Sequence, residues 1–164
     1  MKKSIISTLV ILLGLTGFSA CSKEMNTLTV PTKHNPNLTL GQIAEILPGM
    51  GSVMMEYSHR FYVAYYAAKA KNWDLAAYQL HEMLEIQEVG EATRPEHATA
   101  LKAFEENYLN KVTEAVKTKE WQTFDTAYKR AVVGCNNCHV NSGHGYIRYK
   151  LPATPPALLS MAIK

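Results

Sequence analysis

The chain has 164 residues, of which 47% are hydrophobic and 19% are charged, as in ordinary globular proteins. This composition excludes a disordered chain and a membrane protein with many spans, and the length predicts one domain or at most two. Lys2 and Lys3 lie in a segment that we expect to be removed, which leaves 15 basic residues against 14 acidic ones. Because nucleic-acid binding needs a concentrated basic face, we expect no nucleic-acid partner.

The N-terminus has the proportions of an export signal. Residues 1–20 start with a short cationic stretch, continue with an apolar run over 5–15 and end on small residues, and the apolar run is too short to span a bilayer comfortably. Cys21 follows directly, which resembles a bacterial lipoprotein signal, in which this cysteine is lipidated. The alternative is an ordinary signal that leaves Cys21 as a free thiol.

The lipoprotein resemblance also implies a location. Ser22 after the cysteine is similar to the outer-membrane sorting pattern, so the resemblance implies a periplasmic protein whose lipid anchor lies in a bacterial membrane, the outer rather than the inner. Residues 21–38 are polar and contain two prolines. We predict that they form a flexible tether.

Helical signals run almost continuously over residues 39–141, which we predict to be the folded domain. Thr39 and Gln42 have the spacing of a capping box. A first long helix is predicted over about 48–70 and a second over about 73–89, after a tight corner.

The second half of the domain continues this pattern. A loop is predicted over 90–93, a third helix starts at Arg94 and Pro95, and a fourth starts near Trp121 after a short break at 117–119. In each helix the inward positions recur at three- and four-residue steps: Met50, Val53, Met54, Tyr57, Phe61, Ala64, Tyr65 and Ala68; Ala76, Leu80, Met83, Leu84 and Gln87; Leu101, Phe104, Tyr108, Leu109, Val112, Ala115 and Val116; Trp121, Phe124, Tyr128, Ala131 and Val132.

Four amphipathic helices joined by short connections predict an all-α fold, an antiparallel four-helix bundle. We find no strand-like alternation of useful length. The aromatic residues, among them Trp73 and Tyr78, are expected to lie mostly in the core. Residues 142–164 contain three prolines and no long helical period, which predicts an extended tail over the surface.

The segment Cys135–His139 reads C-N-N-C-H, the spacing of a covalent haem attachment site. Two thiols three positions apart reach both vinyl groups of one porphyrin, and the adjacent imidazole then lies beneath the iron. A zinc site would need four ligands, and the sequence has no second cysteine pair; a thioredoxin-like disulfide would need βαβ surroundings. We therefore predict one covalent haem c, bound by Cys135 and Cys138, with His139 as the proximal iron ligand.

The helical stripe predicts that both thiols and the imidazole face the core, so that the macrocycle lies inside the bundle. A haem attached at the C-terminal end of the last helix resembles the class II c-type cytochromes, the cytochrome c prime-like four-helix bundles. The segments 51–54 (G-x-x-M), 70–80 (A-K-N-W-D-L-A-A-Y-Q-L) and 135–147 (C-N-N-C-H-V-N-S-G-H-G-Y-I) are also similar to a group of exported single-haem cytochromes.

The resemblance implies that a residue early in the first long helix covers the distal face of the iron. A methionine there gives six-coordinate iron suited to electron transfer, whereas an aliphatic residue leaves a face open to small gases. Met54 lies on the apolar stripe and matches the methionine of the narrower group, so we expect it to be the distal ligand. Met55 and His59 are alternatives, and Met54 as a core residue only is another.

The glycines on either side of His144 predict a turn that brings the chain back over the haem edge. His144 and Arg148 would then contact a haem propionate. The alternative is that both are solvated loop residues.

The function that we expect is a membrane-anchored electron carrier with transient redox partner proteins. The alternative is a cytochrome c prime-like sensor or scavenger that binds NO or CO. The sequence has no catalytic acid–base cluster, so we do not expect an enzyme, although a weak peroxidase-type activity with His59 as the distal polar group stays open. The resemblance also leaves open a homodimer through the first two long helices.

Overall fold

The computed structural model describes residues 28–34, 37–157 and 160–161. The predicted signal segment and Cys21 lie outside these residues. The chain divides into two compact units between Leu47 and Pro48. Among the described residues, no helix combines the length and the apolar character that crossing a membrane requires.

The first unit holds a short strand pair and a short helix. Strand β1 (Thr29–Val30) pairs antiparallel with β2 (Leu38–Thr39), and helix α1 (Leu40–Glu45) follows directly. The predicted capping box is confirmed, because Gln42 N–H donates to Thr39 Oγ1 at 3.1 Å and Thr39 N–H donates to Gln42 Oε1 at 2.9 Å. Strands of two residues are too short to leave an alternating pattern in the sequence.

The second unit is mostly helical, so the all-α prediction is confirmed. The helices are α2 (Met50–Lys69), α3 (Trp73–Thr93), α4 (Ala98–Phe104), α5 (Asn110–Lys117) and α6 (Trp121–Asn141). A 3₁₀ turn (Pro95–His97) precedes α4, and a π-helical turn (Glu105–Leu109) separates α4 from α5.

The predicted corners before α3 and α6 are both confirmed. Lys71 and Lys119 adopt positive φ angles of 61° and 55°, the left-handed conformation that ends a helix within one residue. At the first corner Asn72 caps α3, because its side chain accepts a hydrogen bond from Leu75 N–H at 3.1 Å. The corners fix where α3 and α6 start.

The predicted loop over 90–93 is wrong, because α3 continues to Thr93. Gly90 is buried inside the helix, and a Cβ atom at this position would lie only 3.0 Å from the Val53 side chain. The glycine therefore serves a close approach of α2 and α3 rather than a turn. In a sequence, a glycine is an ambiguous signal, because it can mark either a turn or a close contact between helices.

The third predicted helix is confirmed as a helical segment from Pro95 to Lys117, but it is not one regular α-helix, because the π turn interrupts it. Phe104 and Leu109 are both buried, yet a five-residue step in a regular α-helix turns by about 140° and would direct one of them outward. The wider π turn returns both side chains to the core. Burial of this pair thus compensates for the irregular backbone.

The helices of the second unit contact one another in sequence. Helix α2 packs on α3, α3 contacts α4 and α5, both of these contact α6, and α6 contacts α2. Their shared core contains most of the predicted inward positions. The prediction is wrong for Tyr78, which we expected in the core and which is 51% exposed. The largest fully buried side chains are Tyr128, Phe61, Phe124, Leu80, Met83, Leu109, Gln87, Val53, Val63 and Val112.

The chain after α6 lies along α2. In its described part it forms neither helix nor strand. Tyr62 and Tyr66 donate their hydroxyl hydrogens to the main-chain carbonyls of Thr154 and Pro152, the second at 2.8 Å. This cover explains why Tyr66 is buried although it lies off the predicted stripe.

Candidate functional site

The last two turns of α6 carry the two cysteines and the histidine of the C-N-N-C-H segment. All three side chains are partly buried, and the two cysteines are not joined in a disulfide. Cys135 packs against the core. Burial, followed by the neighbouring Cys138, raises the pKa of the Cys135 thiol to about 12, so that this group is protonated at neutral pH.

The imidazole of His139 is oriented by a main-chain carbonyl. Its Nδ1 lies 3.0 Å from the carbonyl oxygen of Ile147. Because a carbonyl oxygen only accepts, Nδ1 carries the proton and donates it. Nε2 then has a free lone pair, and no other described residue forms a hydrogen bond with this ring. Histidines that bind metals are commonly fixed in this way through the second nitrogen.

The chain turns back sharply at the end of α6 and so brings Ile147 to the histidine. The His144 amide donates to the His139 carbonyl at 2.7 Å, and the Ile147 amide donates to the His144 carbonyl at 2.8 Å. Gly143 has a φ of 77°, which glycine adopts without strain. The turn expected from the glycines is therefore confirmed.

Asn136 fastens the returning chain to the helix. Its Oδ1 accepts from Tyr149 N–H at 2.9 Å, and its Nδ2 donates to the Tyr149 carbonyl at 3.2 Å and to the Val132 carbonyl at 3.1 Å. The neighbouring Asn137 is exposed and forms no such contact. Sequence reasoning missed this role, because the attachment pattern leaves both middle positions unspecified; only the helical phase distinguishes them.

A tyrosine pair extends this fastening into the core. The hydroxyl oxygens of Tyr128 and Tyr149 lie 2.8 Å apart, and Tyr128 also donates to the Phe61 carbonyl at 3.2 Å. The rings of Phe61 and Tyr128 stack at a centroid distance of 4.0 Å. Burial raises the pKa of Tyr149 to about 12 and that of Tyr128 further still. Both hydroxyls therefore stay neutral and donate hydrogen bonds at physiological pH.

A buried polar network lies on the side of the thiols. Tyr57 donates to Gln87 Oε1 at 3.0 Å, and Gln87 Nε2 donates to one oxygen each of Glu91 and Glu105, both at 3.0 Å. Burial raises the pKa of Tyr57, and electrostatic repulsion from Cys135 and Cys138, once they are ionised, raises it further. The sequence indicated Gln87 as an inward position but did not indicate its partners.

The three distal candidates on α2 have different surroundings. Met54 is partly buried and packs against the core, one turn before Tyr57. Met55 is 73% exposed. His59 is exposed as well, with its ring edge-on to Tyr62 at 6.2 Å. Of these three residues, Met54 is thus the one whose side chain faces the interior.

His144 and Arg148 both lie in the segment that returns from α6. His144 is partly buried, with its ring 5.8 Å from that of Tyr146. Arg148 is exposed and forms no ion pair with a described residue. Both residues are therefore near the histidine in the chain and carry no competing acidic partner among the described residues.

Gly134, directly before the first cysteine, lets α6 approach the π turn. A Cβ atom at this position would lie 2.7 Å from the ring of Tyr108, closer than real contacts allow. The absence of a side chain at Gly134 therefore decides how close Cys135 comes to the π turn and its aromatic side chains. Sequence reasoning gave no role to this glycine.

The donor set is not a small-ion site. Within the described ranges, no three His, Cys, Asp or Glu side chains converge where they could hold a metal ion. We found no protein-family model, no curated protein and no solved structure that matches the chain. The donors that this site offers are the spaced thiols of Cys135 and Cys138, the oriented imidazole of His139 and the inward thioether of Met54.

Proposed function

We propose that the protein is a monohaem c-type cytochrome that acts as an electron carrier. Cys135 and Cys138 would hold one haem through thioethers, and His139 would bind its iron through Nε2. The observation that carries this proposal is the 3.0 Å contact of His139 Nδ1 with the Ile147 carbonyl, which leaves Nε2 as the free donor. When bound, the haem supplies an iron that takes up and releases one electron.

The chemistry of the donors fits this group. The two thiols are free, and Cys135 is kept protonated by burial; each S–H bond would add across one vinyl double bond to form a thioether. The thiols and the imidazole are spread along α6 rather than gathered around a point. Such spacing suits a large planar group, which is held at its edge by the thiols and at its centre by the imidazole.

We propose that the second unit is an antiparallel four-helix bundle around this group. The contacts of α2 with α3, of α3 with α4 and α5, and of α6 with its neighbours on both sides support that arrangement. The tail would then cover the outer side of α2, where Tyr62 and Tyr66 bind its carbonyls. A cofactor inside the bundle would be kept from bulk water by these elements.

Met54 would be the distal ligand, since its thioether faces the interior while Met55 and His59 are exposed. Ligation by histidine and methionine raises the reduction potential, which suits a carrier. His144, which is partly buried in the returning segment, would contact a propionate. No acid–base pair of an enzyme is invoked at this site.

Export and anchoring belong to the same proposal. The chain would be exported to the periplasm and held at a bacterial membrane by a lipid on Cys21, near membrane-bound redox partners. An anchored carrier meets such partners at a high local concentration. Weak and short-lived encounters would then suffice for electron transfer.

The test of the carrier function is the optical spectrum of the haem-loaded protein, oxidised and reduced, with and without carbon monoxide. We expect a low-spin spectrum with a thioether-to-iron band in the far red and no rapid reaction with carbon monoxide. Met54→Ala should lose that band and become partly high-spin. Met55→Ala, one residue further on the exposed side of α2, should leave the spectrum unchanged.

Other spectra would contradict the carrier. A wild-type protein that binds carbon monoxide rapidly would instead be a gas-binding protein with an open distal face. Loss of the far-red band in Met55→Ala, but not in Met54→Ala, would show that Met55, on the exposed side of α2, is the ligand. That result would contradict the assignment of Met54. A low-spin wild-type spectrum without the far-red band, unchanged in both variants, would leave His59 as the candidate to test.

A further inference from the structure

The outer face of α6 and the turn after it carry an exposed apolar surface. Val133 and Val140 are 58% and 52% exposed, and Tyr146 and Ile147 are 80% and 46% exposed. We call these four residues, together with Arg130, Arg148 and Lys150, the α6 patch. Four large apolar side chains in one place are unusual for a surface that has no partner.

The four apolar residues are neighbours in the structure. Val133 and Val140 are seven residues apart on α6, two turns along the same face. The Val140 side chain lies 3.3 Å from the position of a Cβ atom on Gly145, the residue before Tyr146. Ile147 lies beside the helix end, where its carbonyl accepts from the motif histidine. The four apolar residues thus lie along the outer face of α6 and in the turn that follows it.

The charges around this surface have one sign. The sequence contains no Asp or Glu from Thr126 to Lys164. Arg130, Arg148 and Lys150 are exposed, and none of them forms an ion pair with a described residue. By contrast, Lys129 is paired with Asp125 at 2.6 Å. Three cations that form no ion pair with a described residue attract a negatively charged surface.

We propose that the α6 patch is the docking surface for the acidic face of a redox partner protein, an inference that rests on the proposed function. An apolar centre with charges at its rim is typical of protein interfaces, and charge complementarity steers a short-lived encounter. The patch lies on the same turns as Cys135 and Cys138. A docked partner would therefore be separated from the cofactor by about one helix diameter, ~10 Å.

The number of charges favours a protein over a lipid surface. Recognition of anionic lipid by charge uses clusters of about four to eight Lys or Arg residues. The α6 patch offers three such residues, spaced around an apolar centre. That arrangement suits a partner with its own apolar centre and a few carboxylates at the rim.

The experiment is a titration of the ¹⁵N-labelled, haem-loaded full chain with a synthetic peptide of glutamates around a single tyrosine, followed by NMR. We expect amide shifts at Val133, Val140 and Tyr146 that weaken as salt is added. Reversing two rim charges, Arg148→Glu with Lys150→Glu, should raise the dissociation constant about fivefold or more.

A matched control reverses two lysines at the other end of α6. Lys117 and Lys119 precede the first residue of α6, and the helix runs 21 residues to its end, which places them roughly 30 Å from the patch. Lys117→Glu with Lys119→Glu changes the net charge equally and should leave the dissociation constant within about twofold of the wild type.

Two outcomes would overturn the proposal. The first is a peptide that shifts amides elsewhere, or that binds the patch variant and the wild type equally. The second is tighter binding of the patch to vesicles with one third anionic lipid than to the peptide, which would make it a lipid surface. NMR detects peptide binding whether or not haem is attached, so the two proposals fail separately. A colourless chain that binds the peptide would refute the carrier function alone. A coloured chain that does not bind the peptide would refute the docking surface alone.

Discussion

Asn136→Ala removes the side chain that fastens the tail to α6, while Asn137→Ala changes the next residue to the same product. Asn136 makes two hydrogen bonds to the main chain of Tyr149, at 2.9 and 3.2 Å. Asn137 is exposed and makes none of these. Both changes raise helix propensity equally, so the difference between the two variants reports the hydrogen bonds of the Asn136 side chain.

The magnitude follows from the two lost hydrogen bonds. Each contributes about 0.5–1.5 kcal/mol net, and the low end of this range applies because Asn136 is partly exposed. We therefore expect the tail to open more easily by about 1–2 kcal/mol in Asn136→Ala, a factor of roughly 5–30 in the opening equilibrium. The third bond, to the Val132 carbonyl within α6, concerns the helix rather than the tail.

Amide hydrogen exchange measures this opening directly. In Asn136→Ala the Tyr149 amide should exchange faster by that factor, and Ile147 should follow because its carbonyl is held two residues away. In the haem-free chain, where no iron holds Nε2, the His139 ring should lose its single Nδ1-protonated form in ¹⁵N NMR, because its acceptor is no longer fixed. Equal exchange rates in Asn136→Ala and Asn137→Ala would refute the role of Asn136.

Three further predictions concern packing and protonation. Gly134→Ala should lower the free energy of unfolding by about 1–3 kcal/mol, because its Cβ would lie 2.7 Å from the Tyr108 ring; Gly51→Ala, with nothing within 4 Å, should raise it by about 0.5–1 kcal/mol. Gln87→Leu should cost about 2–4 kcal/mol in urea unfolding, since a hydroxyl and two carboxylates lose their partner; a loss below 1 kcal/mol would contradict the network. In the haem-free chain, the pKa of the Cys135 thiol is about 12 when the chain is folded and 9.0 when the thiol is exposed. The free energy of unfolding should therefore fall as the pH rises from about 9 to about 12. Cys135→Ala should reduce that fall.

The helices were predictable because their residues repeat with the helical period and end at recognisable corners. Lys71 and Lys119 occupy the corners that the sequence indicated, and the capping box at Thr39 formed as expected. The loop predicted at Gly90 was wrong, because glycine occurs both in turns and at close contacts between helices. The π turn was not predicted, because the sequence indicated Phe104 and Leu109 as inward positions without indicating how the backbone brings both to the core.

The candidate site was predictable to the extent that it follows the chain locally. The spacing of Cys135, Cys138 and His139 is a property of one helix, and so is the inward side of Met54. The contacts of His139 with the Ile147 carbonyl and of Asn136 with Tyr149 depend on where the tail returns. That path is determined by many contacts between residues far apart in the sequence. Main-chain acceptors of this kind leave no residue signature at all.

The covalent attachment of one haem is the claim on which the carrier function depends, and the intact mass of the exported chain measures it. Produced in a host that matures haem c, the chain should be heavier by one haem, and Cys135 and Cys138 should not react with iodoacetamide after denaturation. Replacing both cysteines by serine should abolish the added mass. A colourless wild-type chain of unaltered polypeptide mass, with both thiols open to alkylation, would contradict the account.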